Sequence, residues 1–147
     1  IDWHVDTAHP WPASRGLATV WIGLTEAGED NGGVQYLPGS HLKVFDSEPT
    51  SRESLTLDRT QCAELILSSA EQARMRPGQM AVHSFRTVHR SQRNLSPDRR
   101  IGMVLRFLSA DTSPEVAECG QAFLVHGSAG GWEGRLRPEF PISWSSG

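Results

Sequence analysis

The chain has 147 residues, of which 37% are hydrophobic and 21% are charged, a composition typical of one soluble globular domain with a single core. Its net charge of −3 argues against a nucleic-acid-binding surface, and no apolar run approaches the roughly 20 residues that a membrane span needs. The two cysteines are too few for a disulfide framework, so we expect free thiols and a cytoplasmic location.

Short strand-like runs recur along the chain between turn signals. In chain order the predicted strands are Asp2–Thr7, Leu17–Leu24, Val34–Leu37, Ala63–Leu67, Gln79–Phe85, Thr87–Ser91, Ile101–Leu108 and Ala122–His126. Turn sequences such as Asn31-Gly32-Gly33 and Pro38-Gly39-Ser40 separate them. The pattern predicts an all-β protein whose strands form a closed or two-sheet architecture.

Two segments lack this pattern. The polar stretch Phe45–Thr60 is predicted to be a long surface loop with a helical turn. Residues 128–147 are rich in Gly, Ser and Pro, and we expect a loosely docked tail anchored by Trp132, Phe140 and Trp144. The sequence therefore predicts a core over residues 1–127 and a C-terminal tail over residues 128–147.

The first predicted strand contains two polar residues that alternate with apolar ones. Alternation along an extended chain places His4 and Asp6 on one face and Trp3 and Val5 on the other. An imidazole and a carboxylate that converge supply two ligands of a 2-His-1-carboxylate site, which leaves three positions open on a non-haem Fe(II). The motif alone is common by chance, and a surface His–Asp hydrogen bond is then the more frequent interpretation.

The third ligand must come from a distant strand, and the candidates are His9, His41, His83, His89 and His126. Context favours His89, because a turn centred between Asn94 and Leu95 would place Arg100 opposite it in a hairpin. A guanidinium there can bind both oxygens of the distal carboxylate of a dicarboxylic co-substrate. His83 lacks an arginine at this spacing, so we expect a packed or hydrogen-bonded histidine.

Two further groups keep simpler interpretations. Ser40 and His41 follow a Pro-Gly turn, and we expect them to satisfy backbone groups of that turn. Arg106 shares a strand face with Arg100 by alternation, and both a contact with substrate and a surface salt bridge remain open for it.

Four motifs occur in order along the chain. They are Trp3-His4-Val5-Asp6, then Val20-Trp21-Ile22-Gly23-Leu24, then Asn31-Gly32-Gly33 through Leu37-Pro38-Gly39-Ser40-His41, and finally His89 with Ser91, Asn94 and Arg100. In order and approximate spacing they resemble the phytanoyl-CoA dioxygenase family, and the resemblance spans nearly the whole chain.

The resemblance implies a double-stranded β-helix, the jelly-roll fold of cupin-like proteins, in which His4, Asp6 and His89 hold Fe(II). It also implies that Arg100 and Ser91 hold the C5 carboxylate of 2-oxoglutarate and that Trp21 lines its pocket. Ser91 agrees independently, because it lies two residues from His89 and so on the same strand face. The implied reaction is hydroxylation of a small organic molecule by O2, with oxidative decarboxylation of 2-oxoglutarate to succinate and CO2.

Other functions remain as alternatives. A non-catalytic cupin-like binding protein is expected to lack a metal ligand or the arginine, and all of these residues are present. An inactive fragment is a further alternative, because the sequence starts close to His4. A halogenase of similar fold would carry Ala or Gly in place of Asp6. The same core can also desaturate, epimerise or close rings. Because the N-terminal region usual in the family is apparently lacking, we expect an exposed sheet edge through which the protein could form oligomers.

Overall fold

The structure is a computed structural model that describes residues 1–6, 16–43, 47–49, 55–57, 63, 69–112, 122–134 and 136–137. The described residues up to 107, apart from Gly16, form one compact unit. Gly16 and the described residues from 108 onward belong to a second unit. The division into a core and a tail at residue 127 stays a prediction.

Nine β-strands and two short 3-10 helices are defined in the described part of the chain. The strands are β1 (His4–Val5), β2 (Leu17–Gly23), β3 (Val34–Tyr36), β4 (Ser47–Pro49), β5 (Leu55–Leu57), β6 (Glu71–Gln72), β7 (Met80–Ser84), β8 (His89–Ser91) and β9 (Gly102–Leu108). The 3-10 helices cover Ser40–Leu42 and Gly130–Trp132. The all-β prediction is confirmed. Among the described residues no helix has the length and apolar character required to cross a membrane.

The strands form two sheets. Six of them pair in the order β4-β5-β1-β8-β3-β6, and the other three in the order β7-β2-β9. In the first sheet β1 lies antiparallel to β8, with His4 opposite His89. In the second sheet β2 lies antiparallel to β7, with Thr19 opposite His83 and Trp21 opposite Ala81. These two registers bring polar side chains from four strands to one place.

The apolar face of β1 fixes the orientation of its polar face. Trp3 and Val5 are 2% and 7% exposed, and the Arg90 guanidinium lies 4.6 Å from the centroid of the Trp3 ring. Burying a tryptophan and a valine stabilises the fold by roughly 1.5–3 kcal/mol each. Because side chains alternate along a strand, His4 and Asp6 must then point to the opposite side, as the sequence predicted.

The polar segment Phe45–Thr60 is not only a surface loop, and that prediction is wrong for β4 and β5. The β5 strand pairs with β1, with Val5 opposite Leu55, and β4 pairs with β5. Strand formation depends more on the neighbouring strand than on local composition, so pairing outweighs the polar character of this segment. As a result β1 has a neighbouring strand on both sides.

The predicted hairpin between β8 and β9 is also wrong. The β8 strand pairs with β1 and β3, whereas β9 lies beside β2 in the other sheet. The residues between them form a turn, in which the Asn94 side chain accepts from the Ser96 backbone N–H and donates to the Asp98 carbonyl. The chain therefore crosses between sheets here, and Arg100 does not lie opposite His89.

The remaining strand predictions differ in smaller ways. The run Ala122–His126 is reduced to an isolated bridge between Ala122 and Leu136. Of Ala63–Leu67 only Ala63 is described, and it is helical. The short strand β6 was not predicted, and it pairs with β3. Of the three expected C-terminal aromatic anchors, Trp132 is buried and its indole N–H donates to the Thr112 carbonyl at 2.9 Å, whereas Phe140 and Trp144 lie outside the described residues.

Ser40 links the turn after β3 to the residue before His89. It is fully buried, its hydroxyl donates to the Leu37 carbonyl at 2.6 Å, and it accepts from the Val88 backbone N–H at 2.9 Å. It therefore satisfies backbone groups of the turn, as expected from the sequence.

Replacing Ser40 tests this link. Ser40→Ala leaves the buried N–H of Val88 without its acceptor, so we expect the free energy of unfolding to fall by about 1–3 kcal/mol. Urea unfolding measures the loss. The exposed position Ser128 supplies the control, and equal losses in Ser40→Ala and Ser128→Ala would contradict the prediction.

Candidate metal centre

Three side chains converge at the end of β1. Nε2 of His4 lies 3.9 Å from Oδ1 of Asp6, and Nε2 of His89 lies 3.7 Å from the same oxygen. One ligand atom from each residue lies within 4.8 Å of the other two. The two imidazole rings are 4.2 Å apart between centroids, and all three side chains are about nine-tenths buried. This arrangement could hold a metal ion.

The backbone fixes how both imidazoles present their nitrogens. Nδ1 of His4 lies 2.8 Å from the Asp2 carbonyl, and Nδ1 of His89 lies 2.9 Å from the Thr87 carbonyl. A carbonyl oxygen only accepts, so we assign the proton of each neutral ring to Nδ1. The lone pair on each Nε2 then faces Asp6. Two neutral imidazoles and one carboxylate oxygen are the donor set of a non-haem Fe(II) site, so these residues fit that metal.

The protonation states of Asp6 and His89 are also suited to metal binding. Burial alone would raise the pKa of Asp6, but His83, His89, Thr19 and Arg106 outweigh it and hold the pKa of this carboxyl far below its usual value. Burial lowers the pKa of His89 to about 4, although the Asp6 charge opposes the shift. At neutral pH, Asp6 is therefore ionised and His89 is neutral.

Two residues that the sequence did not assign to the site contact Asp6. The Thr19 hydroxyl donates to Oδ2 at 2.8 Å, and Nε2 of His83 lies 3.5 Å from Oδ2. His83 is packed, as predicted, with its ring centroid 4.9 Å from that of Tyr36 and 4.7 Å from that of His89. His83 lies six residues before His89, but β7 and β8 belong to different sheets, so strand alternation does not relate the two side chains. Thr19 gave no signal within an apolar strand.

Arg100 and Trp21 lie together beside this cluster. The Arg100 guanidinium is 5.7 Å from the centroid of the buried Trp21 ring. Trp21 follows Thr19 by two residues, so both side chains are on the same face of β2. Gly102 leaves room for the indole, because a Cβ atom at that position would overlap the Trp21 ring. The structure thus places Arg100 beside Trp21, where β2 and β9 are neighbours, and not opposite His89 as the predicted hairpin required.

Ser91 and Arg106 occupy different surroundings. Ser91 lies two residues after His89 on β8, so the two side chains are on the same face of that strand. In the neighbouring strand β3 its partner is Val34. Its relation to the triad is this shared face with His89. The Arg106 guanidinium lies 3.7 Å from Oδ1 of Asp6, and its side chain is 41% exposed. Arg106 therefore pairs with the carboxylate of the site.

The low pKa of His89 predicts a pH effect on the metal-free protein. Between pH 6.5 and about 4 the unfolded state binds a proton at this histidine and the folded state does not. The free energy of unfolding must therefore fall as the pH is lowered through this window. Urea unfolding in the presence of a chelator, above and below the window, measures the slope, and we expect His89→Asn to reduce it. His126→Asn, at an exposed position, should keep the wild-type slope, and an unchanged slope in His89→Asn would contradict the assignment.

Comparison with known proteins gives relatives that match most of this chain. A probable alpha-ketoglutarate-dependent hypophosphite dioxygenase from Stutzerimonas stutzeri is 31% identical over 124 residues, which are 82% of this chain and 43% of that protein. The crystal structure of EvdO2 from Micromonospora carbonacea var. aurantiaca, complexed with 2-oxoglutarate, is 32% identical with a TM-score of 0.57 and covers 74% of this chain and 44% of that one.

Two further solved structures are similar. The epimerase SnoN in complex with Fe3+, alpha ketoglutarate and nogalamycin RO is 27% identical with a TM-score of 0.59 and covers 74% of this chain and 41% of that one. EctD from S. alaskensis with bound Fe has a TM-score of 0.61 and is 22% identical, and it covers 77% of this chain and 40% of that one. This likeness concerns the fold alone. The predicted double-stranded β-helix is confirmed. The chain spans less than half the length of each of these four relatives.

The family model of the phytanoyl-CoA dioxygenases matches residues 1–102, which include His4, Asp6, His89 and Arg100. The chain therefore belongs to the phytanoyl-CoA dioxygenase family.

Proposed function

We propose that this chain carries the catalytic core of an Fe(II)- and 2-oxoglutarate-dependent dioxygenase that hydroxylates a small organic molecule. The observation that carries the proposal is the convergence of His4, Asp6 and His89 in protonation states that suit a divalent metal. The donor set favours Fe(II), and three protein ligands leave positions open for a co-substrate and O2. When bound, iron supplies the activation of O2 that drives decarboxylation of 2-oxoglutarate to succinate and CO2.

In this proposal the chain's own residues bind and orient the co-substrate. Arg100 pairs with the C5 carboxylate of 2-oxoglutarate through two of its three guanidinium nitrogens, and Trp21 holds that guanidinium by contact with its ring. Trp21 lies two residues after Thr19 on the same face of β2, so Trp21 and Arg100 are beside the cluster that contains Thr19. This position supports these roles. Ser91 is proposed as a second partner of the same carboxylate, because it shares a strand face with His89.

The substrate is proposed to be small and to reach the site from one side. A cavity of about 480 Å3 lies against Tyr36 and His83, whose rings pack on each other beside His89. Burial and the charge of Asp6 raise the pKa of Tyr36 to about 12, so its hydroxyl stays protonated and can donate a hydrogen bond. Succinate formation measured against a panel of metabolites, with hypophosphite included because a relative is named for it, tests the function.

The cellular setting of the protein is also proposed. A cytoplasmic location agrees with a count of two cysteines, which is too few for a disulfide framework. Oligomer formation through a sheet edge is supported by β7, which is an end strand of its sheet in the described part of the chain and carries the exposed apolar residues Met80 and Val82.

Removing the carboxylate tests the metal centre. Asp6→Ala takes away one of three ligands, so we expect turnover of 2-oxoglutarate to fall to background, while circular dichroism shows that the fold persists. The change empties little of the apolar core, because Asp6 lies among polar groups. Turnover at the wild-type rate in this variant would show that the triad does not hold the metal.

Replacing Arg100 tests the co-substrate site. Lysine cannot reproduce the two parallel hydrogen bonds of a guanidinium, so Arg100→Lys should weaken 2-oxoglutarate binding by about 2–3 kcal/mol, or roughly 30- to 150-fold. The affinity for iron should change little. Anaerobic titration followed by the visible charge-transfer band of the Fe(II) complex measures the loss.

The neighbouring Arg99 supplies the matched control. Arg99 is exposed, whereas Arg100 is partly buried beside Trp21. Arg99→Lys should therefore bind 2-oxoglutarate almost as the wild type does. A larger loss in Arg99→Lys than in Arg100→Lys would refute the assignment.

A further inference from the structure

The two oxygens of Asp6 face different partners. Oδ1 faces Nε2 of His4 and of His89, at 3.9 and 3.7 Å, and the Arg106 guanidinium is also 3.7 Å away. Oδ2 accepts the hydrogen bond from Thr19 and lies beside His83. We propose that Thr19 and His83 are positioning residues that hold Oδ2, so that Asp6 offers only Oδ1 to a metal ion. This inference rests on the proposed function and concerns the same site.

The fold places Thr19 and His83 as a matched pair. They are directly opposite each other in the antiparallel register of β2 and β7. Side chains of such cross-strand neighbours start about 5 Å apart on the same face, so both can reach one oxygen atom. Thr19 is 3% exposed and the His83 side chain is 8% exposed, which keeps bulk water from replacing them.

His83 differs from the two histidines of the triad in how its ring is held. In His4 and His89 a backbone carbonyl binds Nδ1, whereas neither ring nitrogen of His83 has a hydrogen-bond partner in the described part of the chain. Packing against Tyr36 and His89 fixes the ring. In this proposal the proton of His83 is on Nε2, which faces Oδ2 at 3.5 Å, because a carboxylate oxygen only accepts. An N–H there turns no lone pair toward the site, so the proposal gives His83 the role of holding Asp6 and not that of a metal ligand.

The number of coordination positions on the metal explains why holding Oδ2 would matter. A carboxylate that binds through both oxygens occupies two positions, and with two imidazoles it leaves two of six. A co-substrate that chelates the metal and an O2 molecule together need three. Holding Oδ2 away from the metal therefore keeps the third position available.

The experiment compares four variants with the wild type. The double variant Thr19→Val, His83→Phe removes both contacts while keeping similar side-chain size, and Thr19→Val alone is the reserve if the double variant does not fold. Thr19→Ser keeps the hydroxyl. Thr112→Val is the matched control, because Thr112 is buried and lies outside the metal centre.

The readout uses Co(II) as the probe, without oxygen or substrate. Difference infrared spectra give the separation of the two carboxylate stretches, which is wide for binding through one oxygen and narrow for binding through two. We expect a wide separation in the wild type, Thr19→Ser and Thr112→Val, and a narrow one in the double variant.

Several results would overturn the inference. These are a narrow separation in the wild type, a wide separation kept in the double variant, or a wild type that binds no Co(II). A double variant that loses Co(II) affinity with the separation unchanged would mean a structural role alone.

The outcome is separable from that of the proposed function. If the predicted infrared changes occur but the wild type forms no succinate, the proposed function is wrong and the positioning role stands. If succinate forms but the infrared spectrum of the double variant is unchanged, the proposed function stands and the positioning role is wrong.

Discussion

The burial of one negative charge organises this site. Asp6 is about nine-tenths buried, and an ionised carboxylate in such a position is costly unless charged or hydrogen-bonding groups surround it. Here the surrounding groups come from different parts of the fold: Thr19 from β2, His83 from β7, His89 from β8 and Arg106 from β9. The two sheets must therefore be assembled in register before Asp6 can be accommodated. Stability of the fold and geometry of the site depend on the same contacts.

Local strand patterns were enough to predict the all-β class and the faces of the first strand. Trp3 and Val5 are buried, which fixes His4 and Asp6 on the other side. Alternation is a property of the strand itself and needs no partner. The pairing of strands is different, because β4 and β5 form from a polar segment when a neighbouring backbone is available. Composition alone carries little information about such long-range pairing.

The hairpin prediction selected Arg100 through an incorrect register. His89 belongs to β8 in one sheet, whereas Arg100 precedes β9 of the other sheet, since the Asn94 turn carries the chain across and does not fold it back. Arg100 nevertheless meets Trp21, a residue that the family resemblance had brought forward without a geometric argument. The chain between His89 and Arg100 thus crosses from one sheet to the other. The geometry of this crossover depends on both sheets, so the local sequence does not reveal it. Thr19 was missed for a related reason, because its hydrogen bond to Asp6 joins β2 of one sheet to the end of β1 in the other.

The division of the site between two sheets couples metal binding to folding. His4 and His89 belong to one sheet, and Thr19 and His83 belong to the other. A ligand that binds only the assembled state adds RT ln(1 + [L]/Kd) to the free energy of unfolding, which is about 2.7 kcal/mol at a concentration 100 times Kd. If the proposed site holds a metal ion, the resistance of this protein to heat then depends on the concentration of that metal around it. The fraction of the chain that is folded at a given temperature would rise with the supply of the metal.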